Sequence, residues 1–169
     1  MKQKGQLTPL QKVLDGASIL ICIGTVVYIA VIYQCLPEQI ASNYDAAGNI
    51  TGYQGKSMLF LLAAFMTFLI TIPLSVFVRF RKLYKTINSP WPIPKGQEGR
   101  IVELTKDFLC VTNLTMTSLF AYLTQCCIHS WKPALLWIPL AALAVALAVL
   151  FIKMRKVCKN PIDRDPWET

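Results

Sequence analysis

Apolar residues along this chain gather into four continuous blocks, 17–36, 58–78, 108–128 and 134–152, instead of recurring at the spacing of a surface helix. Each block is about 20 residues long, the length at which an α-helix covers the hydrocarbon core of a bilayer. None contains Asp, Glu, Lys, Arg or His. A single charge at mid-membrane would cost about 2.5 kcal/mol or more on insertion. The pattern predicts an all-α integral membrane four-helix bundle forming one domain over residues 1–169.

The third block is the most polar, with Thr112, Asn113, Thr115, Thr117, Ser118, Thr124 and Gln125. Charge placement decides how it is counted. With four spans and a cytoplasmic N-terminus, fifteen of the 17 Lys and Arg fall on the cytoplasmic side. They lie in the N-terminal segment, the 79–107 connection and the tail. Only Lys56 and Lys132 fall outside. Removing the third span would export the basic tail, against the positive-inside tendency. Both termini are therefore expected in the cytoplasm. The first block follows Lys2, Lys4 and Lys12 but is too long for a signal-peptide core and lacks a small-residue cleavage site, so it is expected to be retained.

Composition fits this picture: 54% of residues are hydrophobic and 15% charged. The net charge of +8 flanks apolar spans, where anionic headgroups and topology account for it, and no nucleic-acid partner is expected.

Between the first two blocks, residues 37–57 hold dense turn chemistry: Pro37, Asn43, Asp45, Gly48, Asn49, Gly52 and Gly55. Two short β-compatible runs flank 46–49, where Gly48 suits a left-handed turn position, so a small hairpin is predicted in the outer loop. Thr8-Pro9 supplies a helix start ahead of the first block. Pro73 interrupts the second, and Ser89-Pro90-Trp91-Pro92-Ile93-Pro94 breaks the cytoplasmic connection.

Small residues at Ala63, Thr67, Thr71 and Ser75 recur every four positions and allow close helix approach, as do Ala142 and Ala146 in the last block. Thr67, Thr71, Ser75, Asn113, Ala142 and Ala146 are thus candidate helix-packing residues. Lys106, Asn113, Thr117 and Thr124 share one helical face and could form a buried polar seam against the first or second helix; the reading preferred on sequence is the simpler one, hydroxyls bonded to their own helix carbonyls or to one neighbouring helix. Trp131 and Trp137 fit an interfacial aromatic belt.

Of the six cysteines, Cys35, Cys126 and Cys127 are expected near the outer, oxidising side, and Cys35 is a candidate disulfide partner for Cys126 or Cys127. No metal-ligand spacing occurs and His129 is the one histidine. No carboxylate or histidine falls within a predicted span to serve as a base or proton carrier. The expectation is a non-enzyme with no metal and no cofactor.

The outer loop, Leu36-Pro37-Glu38-Gln39-Ile40, then Asn43-Tyr44-Asp45-Ala46-Ala47-Gly48, then Gly52-Tyr53 and Gly55-Lys56, resembles a bacterial membrane domain of unknown function. That domain also forms the N-terminal part of Sdp-type toxin-immunity proteins. The family's second proline and its histidine are Ala41 and Asn43 here, and its acidic residue before the glycine is Thr51. The resemblance implies a multi-pass protein of the bacterial inner membrane that recognises a membrane-active peptide or an envelope signal. Glu38, Asn43, Tyr44, Asp45, Tyr53 and Lys56 would be the ligand-binding residues. The alternative is a structural or accessory subunit of a transporter or other membrane complex, stabilised by small-residue helix faces. Expected partners are the lipid bilayer, a peptide or another membrane protein, and a second copy as a homo-oligomer.

Overall fold

A computed structural model describes residues 7–80 and 97–159. The Pro-rich stretch 89–94 and the tail beyond Lys159 lie outside the described residues. Helix α1 (Pro9–Ile32) ends in a single 3-10 turn, Tyr33–Cys35. A hairpin of β1 (Gln39–Tyr44) and β2 (Ile50–Gly55) follows. The next helix runs from Met58 to Arg79 as α2 (Met58–Phe65), a π-helical segment (Met66–Thr71) and α3 (Ile72–Arg79). The long α4 (Glu98–His129) and α5 (Trp137–Lys159) complete the fold.

Three of these helices are long and apolar enough to cross a membrane: Pro9–Cys35, Met58–Arg79 and Trp137–Lys159. The longest, α4, has 32 residues but not that apolarity.

Helix α1 begins earlier than its apolar block, and the reason is local. Thr8 caps it: Gln11 N–H donates to Thr8 Oγ1 at 3.2 Å and Thr8 N–H donates to Gln11 Oε1 at 3.0 Å. Pro9 in the first turn is preset for a helix start. The buried positions of α1 are Gln11, Asp15, Ser18, Cys22, Thr25 and Ile29, a 4-3-4-3-4 spacing that defines one face. Leu10, Val13, Leu20, Ile23, Val27 and Val31 are exposed on the others. This reverses the amphipathicity of a helix in water, where the buried stripe is the apolar one.

The second helix solves a phase problem. A repeat of four residues drifts by about 40° per step on an α-helix of 3.6 residues per turn. The wider π turn at Met66–Thr71 absorbs that drift. Leu59 and Ala63 above it, Met66 and Thr71 at its two ends, and Ser75 and Val78 below it are all buried.

On α5 the inward positions are Pro139, Leu143, Ala146, Leu150, Met154 and Val157, facing α4. Ala146 lies on that stripe. Ala142 is exposed and lies off it. Helix α4 packs against α1, the second helix and α5.

Candidate functional site

Two groups of residues stand out, one at each end of the helices. At the hairpin end, β1 and β2 pair antiparallel, Gln39 opposite Gly55 and Tyr44 opposite Ile50, with register shifts at Ser42 and Thr51. Asp45 shapes the turn: its Oδ1 accepts from Asn49 N–H at 2.7 Å and its Oδ2 from Asn49 Nδ2 at 3.0 Å. These bonds hold the Asp45 carboxyl below the usual carboxylate range. Gly48 takes φ +77°, the left-handed turn conformation that the sequence predicts there.

The hairpin lies across the helix ends instead of projecting from them. At its base Lys56 pairs with Glu38 at 3.0 Å, donates to the Leu36 carbonyl at 3.4 Å, and stands 5.1 Å from the Tyr33 ring centre. At its tip Lys132, in the α4–α5 connection, donates to Asn49 Oδ1 at 2.8 Å. A Cβ at Gly48 would sit 3.5 Å from Pro133. In between, Ile40 and Ala41 are buried. Ile40 joins Ile29, Leu59 and Ala63 in an apolar cluster flanked by Leu36, Cys127 and Ile128.

Tyr44 points its hydroxyl toward Cys126 and Cys127 of α4, where it is buried without a well-formed hydrogen bond. Burial first, and then the neighbouring Cys127 and Cys126, push its pKa up to about 12.

The six predicted loop residues therefore divide. Glu38, Asn43, Asp45 and Tyr53 are exposed. Tyr44 is seated inward, and Lys56 is taken up by Glu38, Leu36 and Tyr33. Cys35 is exposed, Cys126 buried and Cys127 half-buried, and all three carry free thiols.

At the opposite end a polar seam joins α1, α3 and α4. Asp15 is its hub: Oδ1 accepts from Ser75 Oγ at 2.6 Å, and Oδ2 from Arg79 Nη2 at 2.7 Å and Nε at 3.1 Å. The aspartate side chain is 2% exposed and the arginine 53%. Asn113 Nδ2 donates to Ser75 Oγ at 3.1 Å, and Thr117 Oγ1 to Asn113 Oδ1 at 3.4 Å. Thr117 and Thr71 share a hydrogen bond of 2.9 Å. Higher up, Cys22 meets Thr67 at 3.3 Å. Nearer the N-terminus of α1, Gln11 Nε2 donates to Asp107 Oδ1 at 2.6 Å and Glu103 Oε2 at 3.4 Å. The buried Lys106 reaches Glu103 Oε1 at 3.4 Å. Thr124 instead turns back to the Phe120 carbonyl of its own helix.

Thr67, Thr71, Ser75 and Asn113, read from sequence as packing residues, thus make polar contacts between helices. The sequence reading missed Gln11, Asp15 and Arg79. It placed no carboxylate within a span because its first apolar block starts at residue 17. The helix starts at Pro9, so Asp15 lies inside the stretch long and apolar enough to cross a membrane. The signal was available in the 4-3-4-3-4 spacing of Gln11 through Ile29, which runs across the block boundary.

Chemically, the seam is a satisfied hydrogen-bond network, and among the described residues no group of three or more His, Cys, Asp or Glu is placed to hold a metal ion.

Residues 20–67 match a family described as a domain of unknown function, DUF1648. The matched stretch takes in most of α1, the whole hairpin and the second helix as far as the start of its π segment. No curated protein matches the chain, and no solved structure does.

Proposed function

We propose that this chain is a four-span protein of a bacterial inner membrane, with both termini in the cytoplasm, whose hairpin cap recognises a membrane-active peptide or another envelope signal. The observation that carries the reading is the hairpin's construction. It is fixed at base, middle and tip on the helix ends, yet presents Glu38, Asp45, Thr51, Tyr53 and Gln54 to solvent. A fixed surface with an exposed aromatic and hydrogen-bonding groups suits peptide recognition, because little order has to be created on binding.

The membrane half of the proposal draws on the inverted faces of α1 and on the charge placement along the chain. Helix α4, less apolar than the other three, is assigned in this proposal as the remaining span on the strength of its packing. Its buried Asn113, Thr117 and Lys106 are turned inward, so lipid would meet its less polar sides. At about 1.5 Å per residue α4 is roughly 48 Å long, longer than the hydrocarbon core, so its first three turns with Arg100, Glu103 and Asp107 would extend into the cytoplasm.

The accessory-subunit reading draws on α5, whose outward face from Trp137 to Ile152 is apolar and exposed and would meet lipid or another membrane protein.

The test is survival of a sensitive bacterium challenged with membrane-active peptides, with wild type and variants at equal membrane expression. Tyr53→Ala and Gln54→Ala are the informative changes, since Tyr44→Ala would unseat the hairpin, Asp45→Ala would open its turn and Glu38→Ala would untie its base. Protection by the wild type that is lost in the exposed-residue variants supports recognition. No protection against any peptide tested would remove the immunity reading and leave the accessory-subunit one.

A further inference from the structure

The two strands of the hairpin are not equivalent. β1 packs on α4 and buries Ile40 and Ala41. β2 leaves Thr51, Tyr53, Gln54 and Gly55 exposed. Beyond the ladder to β1, none of the backbone hydrogen bonds among the described residues involves Ile50 through Gly55. The side-chain bond to this stretch, Ser42 Oγ to the Gly52 carbonyl at 3.5 Å, comes from β1 itself. The outer edge of β2 therefore offers its backbone groups to a further strand. Proteins usually blunt such an edge with Lys, Pro or an inward charge, or with shortness and a bulge, and here the bulge at Thr51 does so only at the tip end, leaving Gly52–Gly55 regular. Ile50-Thr51-Gly52-Tyr53-Gln54-Gly55 contains no Lys, no Pro and no charge.

We infer that this edge pairs with the same edge of a second copy of this chain, antiparallel and two-fold symmetric about the Gly52–Gly55 stretch. Two features select a copy over other strands. The first is direction. The hairpin's base is tied at the α1 and α2 ends through Lys56 and Glu38, and its tip at the α4–α5 connection through Asn49 and Lys132. The strands thus run across the helix ends. Copies held in one membrane carry their hairpins at one height, and a two-fold axis along the helices lays β2 antiparallel to its counterpart. The second is charge. The residue on a two-fold axis meets its own like, and its neighbours meet residues one or two positions away, so a charge on the axis would repel its copy. The hairpin's charges, Glu38, Asp45 and Lys56, all lie outside β2.

The bulge at Thr51 shortens the regular run to four residues, Gly52 to Gly55. So short a pairing needs the high effective concentration of a shared bilayer and is lost on dilution into excess detergent. Tyr53, 59% exposed, lies near the axis, where it meets the same residue of the copy.

The inference rests on the membrane reading above, and the experiment separates the two. Full-length protein is expressed with Cys35→Ser, which removes the exposed native thiol, and with cysteine placed at Tyr53 or, as a control, at Ala46 in the exposed turn. A chain that alkaline carbonate strips from the membrane fails the membrane reading itself. In membranes, a short bis-maleimide should cross-link Tyr53→Cys into dimers and leave Ala46→Cys monomeric. In the otherwise native protein, Tyr53→Lys should lower the dimer fraction in liposomes about fivefold, from the lost aromatic pair and the like charges. Reconstituting Tyr53→Lys together with Tyr53→Glu should restore it as mixed dimers. A membrane-integral wild type that stays monomeric at every lipid ratio overturns the inference. So does a dimer indifferent to Tyr53→Lys, or an edge protected only when a peptide is added.

Discussion

The two ends of this molecule are held by different physics, although the same helices run through both. At the hairpin end Ile29, Ile40, Leu59 and Ala63 pack as an apolar cluster under a β cap. At the other end the same faces carry Asp15, Ser75, Asn113 and Thr117, joined by directed hydrogen bonds. Apolar packing tolerates small shifts, whereas a hydrogen bond of 2.6 Å from Ser75 to Asp15 fixes one helix against another in register and rotation. The polar end therefore sets how α1, α3 and α4 are placed, and the apolar end seats the hairpin on the frame so made. The π segment lies between them and turns Thr71 and Ser75 into the seam.

That contrast breaks most visibly at the ion pair. Arg79→Ala leaves Asp15 as a buried carboxylate without its cation, and should cost about 3–5 kcal/mol in detergent unfolding. Asp15→Asn should cost less, because the half-exposed Arg79 can turn to solvent while Asn still accepts from Ser75. If Asp15→Asn proved as damaging as Arg79→Ala, the burial of Asp15 would not be the controlling term.

Next in size is Leu59→Ala at the apolar end, which removes a side chain 1% exposed and should cost about 2–4 kcal/mol. Its signature is regional. Proteolysis of the hairpin should quicken while the α1–α3 contact at Asp15 persists, whereas Arg79→Ala should loosen the seam first. Thr71→Val comes lower, at about 0.5–1.5 kcal/mol, since it removes one hydroxyl pair with Thr117 from between helices.

The hairpin is legible in the amino-acid sequence because its signals are local: Asp45, Gly48 and Asn49 prescribe the turn within five residues. The apolar blocks are legible for the same reason, as continuous runs. The seam is only half legible. Asn113 and Thr117 announce a polar face within an apolar block, but their partners Asp15 and Arg79 sit in basic flanks. There a charge is most simply explained by topology. Counting Lys and Arg by side discards the one thing that matters about Arg79, that it is paired. The π segment stays hidden because it expresses a compromise between two packing faces, and no residue in Met66–Thr71 demands it alone. Likewise Tyr44 reads as a loop aromatic open to a ligand, and only the placement of α4 shows that its hydroxyl faces Cys126 and Cys127.

The smallest expected effect tests how dry the hairpin seat is. With no well-formed partner for its hydroxyl, Tyr44→Phe should change stability at neutral pH by only a few tenths of a kcal/mol. The two forms should separate in alkali. Tyrosine ordinarily titrates near pH 10, whereas Tyr44 in the fold is pushed up to about 12. Between those values the unfolded chain has released a proton that the folded one keeps. The seat's contribution is thus complete below about pH 10 and lost as pH rises toward 12. Tyr44→Phe lacks this term, so its unfolding midpoint should fall less than the wild type's over that interval. The wild-type-minus-variant tyrosinate absorbance should show one group titrating near 12. Should that group instead titrate near 10, water reaches the seat, and the hairpin end is held by its tip and base contacts more than by a dry interior.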